Sequence, residues 1–182
     1  MRIPSERKDG PSAWTEPRQR VADLYVAVRD GVYRSLITAG LDAAKAQEAT
    51  QEAFLRLYIL FRDGGTVENP RAWVYRVAYN FAMDSLARQS REFGISDAMM
   101  ERLVIDEHSA EQHLINKEWM ERVHQAIQRL SSQQRLCLEL RAQGLQYQEI
   151  AEVLQIRPST VGEFLRRAIQ HLRKWNLCDE ER

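Results

Sequence analysis

The sequence lacks the features of membrane, secreted and disulfide-bonded proteins. Its longest unbroken apolar runs are only a few residues, and its first five residues have no apolar core of the kind a signal peptide needs. Only two cysteines occur, Cys137 in a periodic apolar segment and Cys178 near the C-terminus, so a disulfide framework is not expected. These absences predict a soluble, cytoplasmic protein that does not insert into a membrane.

Residue patterns for catalysis and metal binding are also sparse. The four histidines do not group with the cysteines at a metal-binding spacing; they are His108, His113, His124 and His171. The pair Gly64-Gly65 lacks the following lysine and serine or threonine of a phosphate-binding loop. The sequence therefore predicts no catalytic residue, no metal and no cofactor, and the protein is not expected to be an enzyme.

The charges cancel overall but are unevenly distributed. The chain has 26 basic and 26 acidic residues, although a nucleic-acid-binding protein is usually basic. Between Arg157 and Lys174, however, five basic residues accompany the single acid Glu163, whereas Glu92 to Glu121 carries eight acids. An acidic connector thus precedes a basic C-terminal module, a distribution compatible with intramolecular masking of basic surfaces.

Apolar residues recur at steps of three and four along nearly the whole chain, which predicts helices and no strands. The first helix is predicted over Arg18 to Ala39, where Gly40 marks its end. Asp42 is a good cap for a second helix. Asn69 followed by Pro70 is a strong start signal for a third helix that runs to about residue 92.

The predicted fold class is all-α, with two small helical modules joined by a linker and a helix-turn-helix in the C-terminal module. The periodicity fades after Phe93, where glycine, serine and aspartate favour a linker with one short helix over 99–104. The predicted division is a flexible segment over 1–17, a helical domain over 18–92, an acidic linker over 93–112, a helix-turn-helix domain over 113–176 and a tail over 177–182.

The last three predicted helices have the order of a helix-turn-helix domain. Gln133 to Ala142 is a supporting helix, Gln146 to Leu154 is the first helix of the motif, and Pro158 opens the recognition helix. Arginine forks on its polar side suit guanine edges or phosphates, and a carboxylate suits the amino group of cytosine. A solvated face is the alternative, but the context favours DNA binding by Ser159, Thr160, Glu163, Arg166, Arg167 and Gln170.

Two separated segments together resemble one known family. Gln51 to Tyr58, followed by Asn69 to Asn80, is similar to the second region of bacterial RNA polymerase sigma factors of the extracytoplasmic-function group. The helix-turn-helix is similar to the fourth region of the same proteins. Their order and the connector length make the resemblance specific, and it covers nearly everything from Val21 to Lys174.

The resemblance implies an alternative sigma factor that directs core RNA polymerase to specific promoters and helps initiate transcription. Its implied partners are core polymerase and promoter DNA, with an anti-sigma protein as a candidate third. The second helix would dock on core polymerase through Gln51, Glu52, Arg56 and Leu57. The third helix and the loop before it would meet the minus-ten element through Arg62, Thr66, Arg76, Asn80 and Arg88. The recognition helix would meet the minus-thirty-five element.

The recognition helix departs from the family pattern at Gly162-Glu163, where a lysine-serine pair is common. Gly162 also weakens the helix by roughly 1 kcal/mol relative to alanine. In addition, Gln155 replaces the usual turn glycine. Two other functions stay open at this point: a helix-turn-helix regulator that does not replace the polymerase specificity subunit, and a helical protein-interaction module.

Overall fold

Seven helices make up the described part of the chain. The computed structural model describes residues 11–93 and 117–177, and no strand occurs within them. In chain order the helices are α1 (Pro11–Thr38), α2 (Ala43–Arg62), α3 (Pro70–Phe93), α4 (Lys117–Gln128), α5 (Ser132–Ala142), α6 (Tyr147–Leu154) and α7 (Pro158–Leu177). The predicted all-α class is confirmed, with α1 to α3 forming an N-terminal module and α4 to α7 a C-terminal one.

Side-chain caps and glycines define several helix ends where the sequence predicts them. The Asp42 carboxylate accepts a hydrogen bond from the Lys45 backbone N–H at 2.9 Å, which holds the pKa of Asp42 below its usual value. Asn69 Oδ1 likewise accepts from the Ala72 N–H at 3.1 Å. Gly40 has a φ of 105°, a left-handed conformation that glycine adopts without strain. These ends depend on interactions within a few residues, so the local sequence predicts them.

The first helix begins earlier than the sequence predicts. It starts at Pro11 rather than at Arg18, so residues 11–17 are helical and not part of a flexible segment. Pro17 lies inside this helix. Its fixed φ fits helical geometry, but the proline removes one backbone hydrogen bond and its ring crowds the carbonyl four residues earlier. The helix nevertheless continues through the proline.

The N-terminal module packs α1 and α3 against a stripe of α2. Tyr25 of α1 meets Phe54 of α2 edge to face with ring centroids 4.9 Å apart, and the Arg20 guanidinium lies over the Phe61 ring. The apolar residues of α2 that recur at steps of three and four form a buried stripe; its members are Ala46, Ala49, Ala53, Phe54, Leu57 and Phe61. With this stripe turned inward, the opposite side of α2 faces solvent.

The C-terminal module contains the predicted helix-turn-helix. Ser131 caps α5 in a capping box with Gln134, which satisfies two backbone donors at the helix start. Between α6 and α7, Gln155 has a φ of 55°, the left-handed conformation for which glycine is the usual residue. The recognition helix α7 buries one apolar stripe, which includes Val161, Leu165 and Ala168.

The two modules share one continuous core. Tyr75 of α3 is fully buried, and the charges of Arg34 of α1 and Glu139 of α5 both act on it. Burial raises the pKa of Tyr75 to about 12. Gly31 of α1 approaches the Tyr75 hydroxyl and the Gln143 side chain so closely that a Cβ there would overlap both. Helices α1, α3 and the end of α5 therefore meet at one tightly packed point, called the junction below.

Some sequence predictions concern residues outside the described ranges. They are the acidic connector, the short helix over 99–104, the C-terminal tail, and His108, His113 and Cys178. The apolar residues from Ile115 to Leu130 also recur at helical spacing, and α4 lies within this segment.

The junction predicts opposite effects for two glycine-to-alanine substitutions. Gly31→Ala should lower the free energy of unfolding by about 1–3 kcal/mol, because the buried Tyr75 ring must shift to accept a Cβ. Gly162→Ala should raise it by about 0.5–1 kcal/mol, because that Cβ would lie 3.7 Å from the Tyr147 ring, an ordinary contact in a helix that alanine favours. Urea unfolding of the two variants measures both values. Equal stabilisation by the two would contradict the close packing at Gly31.

Candidate nucleic-acid and partner interfaces

The recognition helix α7 presents a polar face to solvent. Ser159, Arg166, Arg167 and Gln170 are exposed, while Thr160 and Glu163 are partly exposed. The opposite stripe is anchored in the core, so the backbone of this face is held in place by packing. The six predicted DNA-binding residues of α7 thus lie where a large partner can reach them.

An open groove of about 270 Å³ lies beside this face, between α5 and α7. It is lined by Gln134, Arg167, Gln170, His171 and Lys174. Gln134, His171 and Lys174 are not among the predicted site residues. The cluster of basic residues between Arg157 and Lys174 is the sequence signal from which Lys174 could have been predicted as a DNA-binding residue. Gln134 comes from another helix, and its place in the groove depends on how α5 packs against α7.

Glu163 is paired with both arginines of the recognition face. Arg166 donates from Nε and Nη2 to the two Glu163 oxygens at 2.9 and 2.7 Å, and Arg167 Nε donates to Oε1 at 2.7 Å. These hydrogen bonds, first that of Arg166 and then that of Arg167, hold the pKa of Glu163 below its usual value. The carboxylate therefore stays ionised at neutral pH.

Two of the predicted DNA-binding residues on α3 have partners on or just after α6. Arg76 Nη1 lies 3.6 Å from Glu152 Oε2, and Gln155 Nε2 donates to Asn80 Oδ1 at 2.9 Å. Arg88, two turns further along α3, is exposed. The first helix of the helix-turn-helix thus covers the middle of this α3 face and leaves Arg88 outside the contact.

Two further contacts join the two modules here. Together with the two pairs described above, they make up what we call the α3–α6 interface. Asn69, just before α3, donates a hydrogen bond to Glu149 of α6. Tyr79 of α3 is close enough to Cys137 of α5 for the thiol to act on its pKa, which is raised first by burial and then by Cys137. Cys137 itself is fully buried, and burial raises its pKa to about 11.

The loop between α2 and α3 is shaped by its glycines. Gly64 has a φ of 81°, and a Cβ on Gly65 would lie 2.9 Å from the Leu60 carbonyl oxygen, too close for any other residue. Arg62 donates to the neighbouring Asp63 at 2.8 Å, and this hydrogen bond lowers the pKa of Asp63. Thr66 is exposed. The loop is therefore a fixed turn that carries Arg62 and Thr66 outward.

The exposed side of α2 differs from the prediction at one residue. Gln51 and Arg56 are exposed and Glu52 is partly exposed, with Arg56 Nε donating to Glu52 at 2.6 Å. Leu57 is fully buried. Its assignment to a partner surface is wrong, because Leu57 belongs to the stripe that packs inside the N-terminal module.

The apolar residues that α2 does expose are Leu55 and Ile59, with 52% and 38% of their surfaces accessible. Together with Gln51 they follow a spacing of four, so they lie along one side of the helix. That spacing is visible in the sequence and could have identified them. Among the described residues, no group of three histidine, cysteine or acidic side chains could hold a metal ion. None of the helices in the same ranges is long and apolar enough to cross a membrane.

Comparison with known proteins identifies both modules. Residues 24–92 match the family model "Sigma-70 region 2", and residues 120–172 match "Sigma-70, region 4". The chain is similar to the RNA polymerase sigma-H factor of Pseudomonas aeruginosa, with 34% identity over 145 residues that cover 73% of this chain and 74% of that protein. It is also similar to the ECF RNA polymerase sigma factor SigW of Bacillus subtilis, with 24% identity covering 84% and 87% of the two chains.

The fold is similar to that of the sigma factor RpoE from Bartonella quintana, solved in complex with the anti-sigma factor NepR. The TM-score is 0.59 at 19% identity, and the match covers 85% of this chain and 95% of that one.

Cys137 is fully buried in the core that the two modules share, so we predict that thiol reagents reach it only when that core opens. The test uses a Cys178→Ser background, which leaves Cys137 as the single thiol. In this background Glu152→Arg should speed labelling of Cys137 roughly two- to fivefold. The reason is that the weak, exposed ion pair between Glu152 and Arg76 is replaced by a repulsion between two arginines. Gln148→Arg adds the same side chain at an exposed position of α6 and is the control. Equal labelling rates for the two variants would contradict the contact.

Proposed function

The chain belongs to the sigma-70 family of RNA polymerase sigma factors, and on that basis we propose that it is an alternative sigma factor. It binds core RNA polymerase, directs the enzyme to specific promoters and helps initiate transcription. The observation that carries this proposal is the polar face of α7, which is held outward by the buried stripe on the other side of the helix. The same chain has the second sigma region ahead of the fourth, which is the order expected of a sigma factor.

The proposed contact with the upstream promoter element is made by α7 in the major groove. Arg166 and Arg167 supply guanidinium forks for guanine edges or phosphates, while Ser159, Thr160 and Gln170 supply shorter hydrogen-bonding groups. Basic residues of the neighbouring groove, including Lys174, add attraction to the phosphate backbone.

The proposed contact with the minus-ten element is made by α3 and the loop before it. Arg62 at the end of α2, Thr66 in the loop and Arg88 on α3 are exposed. Arg76 and Asn80 instead contact α6. Promoter binding by these two residues therefore requires α6 to leave α3.

The proposed surface for core polymerase is the exposed side of α2. It combines Gln51, Glu52 and Arg56 with the apolar residues Leu55 and Ile59, and it excludes the buried Leu57. Apolar anchors surrounded by polar groups are the usual composition of a protein interface. Two exposed apolar side chains do not by themselves require a partner, so the ion pair between Glu52 and Arg56 is the feature to test.

This role is that of a non-catalytic subunit, and it places the protein in the cytoplasm with the polymerase. An anti-sigma protein is a proposed third partner. The alternatives of an independent operator-binding regulator and of a pure interaction module are not favoured, because neither explains a region-2 match ahead of a region-4 match in one chain.

Run-off transcription with purified core polymerase tests the proposed function. On a template library with randomised upstream and minus-ten elements, transcripts from a defined subset of templates should appear only when the chain is added. A chain that fails to associate with core polymerase even at low salt would contradict the proposal.

The α2 surface predicts a selective loss of core binding. Arg56→Ala should weaken association with core polymerase about tenfold, which corresponds to about 1.4 kcal/mol, because it removes a charged group from the docking face. Arg29→Ala is the matched control: Arg29 is 52% exposed and paired with Asp30, whereas Arg56 is 53% exposed and paired with Glu52. Fluorescence titration of labelled full-length chain measures both affinities. Equal affinities would exclude Arg56 from the interface.

A further inference from the structure

Glu163 is the centre of a hydrogen-bonded network on the recognition face. Residues 163, 166, 167 and 170 follow a three- and four-residue spacing, so they share one side of α7. Both Arg166 and Arg167 donate to Glu163 Oε1, and Arg166 Nη1 also donates to Gln170 Oε1 at 3.2 Å. A single carboxylate thus fixes the orientation of both arginines.

Stability alone does not account for this network. The side chains of Arg166 and Arg167 are 55% and 59% exposed, and that of Glu163 is 38% exposed. Ion pairs in such positions contribute little to the free energy of unfolding because solvent screens them. The network instead changes which guanidinium donors the recognition face presents to DNA.

The edge of Arg166 that Glu163 occupies is an edge used in recognition. Arg166 presents Nε and Nη2 to the carboxylate, and a parallel pair of guanidine donors is what a guanine edge or a phosphate accepts. Any DNA group that takes this edge must displace Glu163. At a non-cognate site, a single phosphate can replace the Glu163 carboxylate as acceptor for one arginine. A cognate site offers acceptor groups to both arginines together.

We propose that Glu163 is a positioning residue that sets promoter specificity, by holding Arg166 and Arg167 across the recognition face and competing with DNA phosphates for them. This inference rests on the proposed function of α7 as the reader of the upstream element. Glu163 weakens attachment to arbitrary DNA more than attachment to the cognate element. The acid at this position therefore supports recognition although it reduces the positive charge of the face.

The test compares holoenzymes reconstituted from core polymerase and full-length chain carrying Glu163→Gln or, as a control with the same change of charge at an exposed position of α1, Glu16→Gln. Binding to a duplex without a promoter is measured against salt concentration, and base preferences are read by selection from a library randomised in the upstream element. Glu163→Gln should tighten non-promoter binding roughly threefold or more at low salt and steepen the salt slope by about 0.9, the value for one added phosphate contact. Preferences at several positions should weaken together.

Two outcomes would overturn the proposal. One is a salt slope and base preferences equal to those of Glu16→Gln. The other is loss of preference at a single C·G pair with an unchanged slope, which would make Glu163 a direct reader of cytosine. Failure of the proposed function is distinguishable, because the wild-type holoenzyme would then select no upstream element at all.

Discussion

The close approach of three helices at the junction is the constraint on which the rest of the arrangement depends. Gly31 lets α1 come against the Tyr75 ring of α3, and Gln143 at the end of α5 fills the same space. Because Tyr75 is buried between elements of both modules, the core runs through them without a break. A core of this kind resists gradual deformation, so the modules are expected to be either docked or separated.

Docking at the junction places α6 along α3, and this has a direct functional consequence. The acid Glu152 and the amide of Gln155 contact Arg76 and Asn80, the residues proposed to meet the minus-ten element. A carboxylate on α6 thus pairs with an arginine that is proposed to contact a DNA phosphate. On that proposal the α3 face can contact α6 or the promoter at one time, and the polar contacts are exposed and weak enough to be exchanged. Masking of a basic surface is compatible with the charge distribution of the sequence, and within the described residues the acid that pairs with Arg76 is Glu152 of α6.

Local signals in the sequence predict most of the fold, while long-range packing decides what they miss. Asp42 and Asn69 indicate helix starts in the sequence, because each capping side chain accepts a hydrogen bond from the backbone N–H three residues later. Leu57 follows the helical spacing of the buried stripe of α2, whereas its assignment to the partner surface rested on the family resemblance alone. The pairing of Asn80 with Gln155 joins residues 75 positions apart, which periodicity cannot reveal. Glu163 interacts within its own helix, so its spacing to Arg166 and Arg167 was readable in the sequence.

If the α3 face alternates between α6 and promoter DNA, the two modules must separate when a promoter is bound. Energy transfer between dyes at Ala22→Cys on α1 and Gln125→Cys on α4, both exposed positions in different modules, measures the separation most directly. The account predicts high transfer in the free chain and a clear fall in the holoenzyme bound to a promoter. Transfer that stays the same in the promoter complex would contradict it.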